Sequence, residues 1–377
     1  MHKNLSRTRK IMTTFITILL VTTVIASLSP KAIAAPTIIN SIDPTSGHVG
    51  DTVHVVGEID TMNGSYAIFF GSERVKNGTA VDLLVNDTFA VPHRPKGDYN
   101  VTLQDSTTFS NYTSTFTIET AYYIKAVPNY VREGNTTKIC ANVTGGLENT
   151  RYWANITVAD PIGVVRSVMV RLTNTTSTGY GSGIGTYPTD FVGATTNYVG
   201  VYYIAFNETV ATGNFTVSLT DKPEYKRGET VYIKGSGYLA YENVTVSIQR
   251  AGQNVTGYPK NKTATAVGVI TDSWEIPQVV TVIKPGIYTV TLSSFSTPPT
   301  NKTIPDSHNF TVLGGVYLIR AWNLAAPPEP VPNARIDARD AVKDVTVDIK
   351  YTNQTGWVEF LLDYGNYTFW ALWNLRG

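Results

Sequence analysis

Four aspartates, Asp337, Asp340, Asp344 and Asp348, follow one another at three- and four-residue intervals. Carboxylates so spaced invite calcium, but a calcium loop also needs a glycine at its sharp turn and a closing glutamate. Neither is in place, so a solvated face or turn is expected. His48, His54, His93 and His308 are scattered, and none pairs as His-x-x-x-His. A metal centre needs converging ligands. His54 also falls on the solvent phase of an alternating run, between Val53 and Val55. The glycine run GYGSGIG, Gly179 to Gly185, lacks the Gly-Lys-Ser/Thr and the strand-into-helix setting of a phosphate loop. It reads as a flexible loop. Cys140 is the one cysteine, so no internal disulfide forms. A nucleophilic thiol needs a base, and no histidine lies near it in the sequence. Ile139-Cys140-Ala141 alternates as a strand would, predicting a buried, inert thiol. No Gly-x-Ser-x-Gly or His-Glu-x-x-His is present. The expectation is a chain that is not an enzyme, with no catalytic residue, no cofactor and no metal.

Two other residue types carry chemistry of recognition. Trp322, Trp357, Trp370 and Trp373 crowd into the last segment. Indoles stack on sugar rings, so Trp322 and Trp373 are candidates for a carbohydrate face, while core packing is the commoner use of tryptophan. Asn-x-Ser/Thr recurs throughout, at Asn63, Asn77, Asn86, Asn100, Asn142, Asn155, Asn214, Asn243, Asn254, Asn301, Asn353 and Asn366 among others. These are candidate glycosylation sites on an exported chain. A β protein rich in Thr and Asn also generates such triplets by composition.

Export is read from the N-terminus. Lys3, Arg7, Arg9 and Lys10 precede an apolar run from Ile11 to Leu28, and Ala32-Ile33-Ala34 offers a small-residue cleavage site. Residues 1–34 therefore read as a secretory signal peptide, with an uncleaved signal anchor as the alternative. Its loss removes five of the 30 basic residues and none of the 29 acidic ones, leaving 25 against 29, a net charge of −4. A mildly acidic chain without a Lys/Arg cluster argues against nucleic acid as a partner.

The elements that must position all this are strands. Charged residues make up 16% of the chain, and Thr, Val and Tyr are plentiful, which favours strand over helix. No long stretch after the leader has helical apolar periodicity. GDTVHVVG at Gly50 returns as GETVYIKG at Gly228, with a third version at Gly134. Each has a Pro some five or six residues upstream (Pro44, Pro128, Pro223), then a Gly turn, then an alternating run. That is the opening of a sheet element, the Pro marking an edge strand or its exit and the Gly taking a positive φ. Closings repeat too: GDYNVTL at Gly97, GVYYIAF at Gly200 and GIYTVTL at Gly286, each followed by a Phe-Thr-(Ile/Val) strand. A Tyr opening the penultimate strand matches the tyrosine corner of Ig-like sandwiches. The repeated stretch is thus one strand in successive domains.

Family resemblances follow from these residues. Ile42, Pro44, Ser46, Gly47, Gly50, Val53, Val55, Gly57 and Phe70-Gly71 resemble the IPT/TIG Ig-like domains. Asp221, Pro223, Tyr225, Gly228, Thr230, Val231 and Gly235 resemble the opening of macroglobulin-type Ig-like domains. The last segment resembles carboxypeptidase-regulatory-like, transthyretin-like sandwiches through Pro332-Asn333-Ala334, Thr352-Asn353, Gly356, Phe360, Leu362, Gly365, Tyr367 and Phe369. Some such domains carry a Lys–Asn isopeptide crosslink. Here Arg320 stands where the Lys would be, with Glu359 as the assisting acid, so no crosslink is expected. The disulfide-free, sequon-dense composition resembles archaeal envelope glycoproteins.

The expected organisation is all-β: a signal peptide over 1–34, Ig-like sandwiches over 36–119, 120–218 and 219–313, and an incomplete carboxypeptidase-regulatory-like sandwich over 314–377. Short linkers predict a semi-rigid string. The expected role is a non-enzymatic secreted or cell-surface glycoprotein acting as envelope structural, spacer or adhesion module. The alternatives are accessory modules of a larger surface enzyme, or a carbohydrate-binding module. Expected partners are envelope or cell-surface proteins or glycans, with membrane attachment only through a signal anchor or a further C-terminal segment.

Overall fold

The computed structural model describes residues 36–207, 210–277, 283–294 and 306–372. Every regular element among them is a strand, arranged as tandem Ig-like sandwiches. Residues 1–35, where the signal peptide is expected, lie outside the described residues. The chain forms two compact units. One holds the residues up to Ala121 with Thr144–Glu148 and Ser177–Gly179; the other holds Tyr122–Val143, Asn149–Thr176 and Tyr180 onward.

In the first unit the strands are β1 (Ile38–Asp43), β2 (Ser46–Gly47), β3 (Thr52–Glu58), β4 (Ser65–Phe70), β5 (Glu73–Thr79), β6 (Leu84–Ala90), β7 (Gly97–Asp105) and β8 (Asn111–Ile118). They pair as β1-β3-β6 and as β2-β8-β7-β4-β5. After β1 the chain meets Pro44, leaves the first sheet, and runs parallel to β8 as β2. Pro44 thus stands where the strand must exit, since it has no N–H for a ladder. In β3 the two-residue period sends Val53 and Val55 fully inward. Across the core they share a cluster with Ile68, Phe70 and Phe116. Each such side chain contributes about 1.5–3 kcal/mol on burial.

The second unit repeats the plan. Its first sandwich has β9 (Ala121–Val127), β10 (Tyr130–Arg132), β11 (Thr137–Thr144), β12 (Trp153–Ala159), β13 (Val165–Arg171), β14 (Gly181–Tyr187), β15 (Gly200–Phe206) and β16 (Ala211–Ser218). The sheets are β14-β11-β9 and β10-β16-β15-β12-β13, with β10 parallel to β16 after Pro128. Next come β17 (Glu224–Tyr225), β18 (Thr230–Gly235), β19 (Asn243–Arg250), β20 (Gln253–Asn254), β21 (Lys260–Thr263), β22 (Ile270–Glu275), β23 (Gly286–Ser294) and β24 (Asp306–Val312). Here β18 pairs with β22, and β17-β24-β23-β19 form the other sheet with β20 and β21 on its edge. The repeated eight residues are therefore β3 and β18, with β11 as the third copy. Their turn glycines Gly50, Gly134 and Gly228 have φ of +90°, +66° and +81°, as the sequence requires.

The tyrosine corners are also present. Each hydroxyl donates to the carbonyl four residues upstream: Tyr99 to Pro95 at 3.0 Å, Tyr202 to Tyr198 at 3.1 Å and Tyr288 to Lys284 at 2.6 Å. Burial pushes the Tyr202 and Tyr288 hydroxyls above the ordinary phenol range, so both remain donors.

The last sandwich departs from the plan. It has β25 (Gly315–Arg320), β26 (Arg335–Asp340), β27 (Val345–Tyr351), β28 (Trp357–Leu362) and β29 (Tyr367–Leu372), paired as β25-β28 and β27-β26-β29. Its fully buried core is small, centred on Ile336, Ala338, Phe360 and Leu362. Here Tyr317, rather than Tyr367, donates its hydroxyl to the turn, at the Gly365 carbonyl.

Two expectations are corrected. From Gly181 on, the glycine run belongs to the strand β14, fully laddered onto β11, rather than to a flexible loop. Its inward phase is Gly181, Gly183 and Gly185, and a Cβ on Gly183 would lie 2.8 Å from Val170 Cγ1 of the facing sheet. The glycines let two sheets approach. Cys140 is half-buried rather than buried. Ile139 and Ala141 take the core phase of β11, and the period leaves Cys140 outside, opposite Ile184.

Candidate functional surfaces

The outward strand positions carry amide and hydroxyl side chains. In Asn100-Val101-Thr102, Val101 is wholly buried, Asn100 is exposed, and Thr102 shares a hydrogen bond with Thr113 across the ladder. Asn214-Phe215-Thr216 and Asn243-Val244-Thr245 repeat that outward-core-outward order. The strand period thus generates sequons wherever outward positions are Asn and Thr. Asn63, Asn77, Asn86, Asn254, Asn353 and Asn366 are exposed as well, while Asn142 and Asn155 are half-buried. Asn301 lies outside the described residues. Some carboxamides are committed. Asn353 Oδ1 accepts from Thr355 N, Thr355 Oγ1 and Trp357 N, holding the β27–β28 turn. Asn63 Oδ1 accepts from Asp82 N.

The tryptophans of the last sandwich are surface residues, against the expectation of core packing. Trp322, Trp357 and Trp370 are 47%, 39% and 56% exposed, and Trp373 lies outside the described residues. Trp357 and Trp370 stand on the outward phase of β28 and β29. Arg320 lies over the Trp322 ring at 3.8 Å and 5.2 Å from Trp357, and Arg339 lies 5.3 Å from Trp370. Arginine planes stack well on indoles, which explains how these rings stay in water. The loop after Trp322 is shaped by Asn323, whose Oδ1 accepts from Ala325 N and Glu329 N. Beside it lies an open cleft of about 530 Å³ lined by Trp322, Asn323, Leu324 and Pro328. Arg320 is thereby committed to the indoles, and Glu359 pairs across the ladder with Leu318.

Acids and histidines are placed one by one. Asp337 receives both Nε and Nη2 of Arg335 at 2.7 and 2.9 Å. Asp340 caps a turn, accepting from Val342 N and Lys343 N. Those two backbone donors hold the Asp340 carboxyl below its ordinary range. Asp344 pairs with Arg339, and Asp348 lies 3.8 Å from Lys350. His48 lies 3.4 Å from Asp51, His54 is hydrogen-bonded to Asn86, and His93 is exposed. Among the described residues no three His, Cys, Asp or Glu side chains converge on a common point. Buried Asp105 likewise holds a turn, through Thr61 N, Thr107 N and Thr108 N.

Among the buried charges that sequence reading passes over are Glu133 and Arg227. Both immediately precede the repeated turn glycine, where the first copy has the core residue Val49. That substitution of charge for valine at one repeat position is the available signal. His308 belongs to the same region of the second unit: Tyr130 Oη lies 3.1 Å from its Nε2, and burial lowers its pKa.

No family model matches the chain, and no curated protein matches it. Solved structures do align along most of its length. A tetra-tandem repeat from the extending region of a large adhesion protein is 15% identical, covering 88% of this chain and 97% of its own, with a TM-score of 0.21. The Bacteroides ovatus mixed-linkage glucan utilization locus SGBP-B, solved with a mixed-linkage heptasaccharide, is 13% identical over 89% and 91%, with a TM-score of 0.22. Alpha-2-macroglobulin of E. coli is 11% identical over 81% and 26%, with a TM-score of 0.19. The functional reading below rests on the chain's own residues.

Proposed function

We propose that the chain is a non-enzymatic, exported surface glycoprotein whose sandwiches serve as a structural, spacer or adhesion array. The supporting observation is the scaffold itself: one strand plan used three times, with outward phases of Asn, Thr and Ser. Among its carboxylates with little exposure, Asp105, Asp160 and Asp272 are engaged in holding turns and strands. In this reading the first sandwich is IPT/TIG-like, the third macroglobulin-like, and the last carboxypeptidase-regulatory-like. Partners are other envelope proteins or glycans. Glycopeptide mass mapping of the native protein tests it. Glycan is expected on exposed strand sequons such as Asn100, Asn214 and Asn243. Unmodified asparagine at every sequon would remove the glycoprotein part of the reading.

A second reading has its own observation, the exposed indoles of the last sandwich. Trp322 and Trp357, each beside Arg320, offer exposed indole of the kind that stacks on a sugar ring. A glycan array probed with the full chain, and with Trp322→Ala and Trp373→Ala, tests it. Signal lost in the variants supports sugar binding, and no signal from the intact chain removes it.

A further inference from the structure

The residue before the repeated turn glycine reaches out of its own sandwich. In the second sandwich Glu133 Oε2 accepts from Ser236 N, in the third, at 2.8 Å. In the third sandwich Arg227 Nη2 lies 2.6 Å from Asp363 Oδ1, in the last. We propose that this position sets how consecutive sandwiches of the second unit are joined, and that Arg227–Asp363 is the latch that orients the last sandwich on the third.

The two joints differ in what surrounds the charge. Around Glu133, Lys234 Nζ donates to Asn135 Oδ1 at 2.6 Å and Ser236 Oγ donates to Asn197 Oδ1 at 2.8 Å. Tyr130 shares hydrogen bonds with Ser218 and Thr220 and contacts His308. A Cβ on Gly134 would come within 2.9 Å of Ser236 Oγ, so the turn and the loop meet without spare room. Val199 and Leu219 are part of the third sandwich's own core cluster. A network satisfied on so many sides holds one geometry.

The Arg227 joint is equally close at its linker, where a Cβ on Gly314 would lie 2.6 Å from Leu362 O of the last sandwich and against Pro285 of the third, but its buried charge meets a single carboxylate across the joint. The guanidinium side chain is 2% exposed, and its Nη1 donates to Ile283 O at 2.8 Å within its own sandwich. Asp363 is 43% exposed and approaches off the hydrogen-bonding direction, so Nη2 and Oδ1 form an ion pair without a hydrogen bond. Val312 closes β24 and Gly315 opens β25, leaving Leu313-Gly314 as the whole connection. Leu313 N donates to Tyr225 O, which ties the linker to the third sandwich. A buried ion pair adds little net stability, because desolvation offsets the attraction, but it does select one arrangement. Arg227 is thus a positioning residue for the last sandwich.

The test uses the full chain with Cys140→Ser and pairs of spin labels at exposed strand positions. Ser307→Cys with Thr368→Cys spans the third and last sandwiches; Thr212→Cys with Ser307→Cys spans the second and third. Distance distributions are read by double electron–electron resonance. Both pairs are expected to give narrow distributions in the parent. Arg227→Met and, separately, Asp363→Asn are expected to broaden the 307–368 distribution at least twofold and leave 212–307 unchanged. Asp363→Asn keeps the buried side intact, so it reports even where Arg227→Met fails to fold. A 307–368 distribution that stays narrow in Asp363→Asn overturns the latch. Equal broadening of both pairs overturns it too, since the change would then be general loosening.

Discussion

Tyr288 and Asp272 show how single side chains hold these sandwiches. Tyr288 Oη satisfies the Lys284 carbonyl from a nearly buried ring. Tyr288→Phe leaves that carbonyl without its donor, and a loss of about 1 kcal/mol is expected from urea unfolding. Asp272 accepts from Tyr258 Oη at 2.8 Å, with Lys260 and Lys262 at 3.3 and 2.9 Å. Burial works to raise its pKa, but the hydrogen bonds from Lys262, Tyr258 and Ser273 N, with Lys260 nearby, outweigh it and hold the carboxyl below its ordinary range. A carboxyl depressed by folding contributes stability that is present above its unfolded pKa of about 3.9 and lost as pH falls through the folded value. Asp272→Asn is therefore expected to cost about 2 kcal/mol at neutral pH and much less near pH 2, read from melts across that range. His308 works in the same pH direction: burial lowers its pKa, so the neutral ring favours the folded state above about pH 6.5 and that contribution fades on acidification. At this scale the turn glycines and corner tyrosines were legible, because a positive φ admits few residue types and a corner needs a phenol. Glu133 and Arg227 were not, because a charge beside a turn looks like a solvated charge until its partner, Ser236 or Asp363 in the next sandwich, is seen.

The strand is the next scale. The opening strands β3, β11 and β18 and the closing strands β7, β15 and β23 could be read directly, since alternation over six or more residues has one explanation. β14 could not. Glycine carries no hydrophobic signal, so a strand with glycine on its inward phase resembles a loop. Its function is to admit Val168 and Val170 of the facing sheet. Gly183→Val is expected to force the sheets apart and cost roughly 1–3 kcal/mol, seen as a lowered melting temperature, whereas Ile184→Thr on the exposed phase of the same strand should leave it nearly unchanged. The tryptophans of the last sandwich misled for the complementary reason. Their usual place is the core, and only the pairing of Arg320 with Trp357 on one outward row shows what keeps them outside.

For the molecule as a whole, composition and repetition carry the account. One cysteine, few charges and sequons along outward strand phases are features that suit the exported, glycan-bearing array proposed above. No helix among the described residues is long and apolar enough to cross a membrane. The central claim is that the sandwiches lie outside the cell. Labelling intact cells with a membrane-impermeant amine reagent, then mapping labelled peptides, tests it most directly. The account predicts that exposed lysines in separate sandwiches, Lys96, Lys138, Lys226 and Lys343, are modified on intact cells as fully as after lysis. Labelling that appears only after lysis would contradict it.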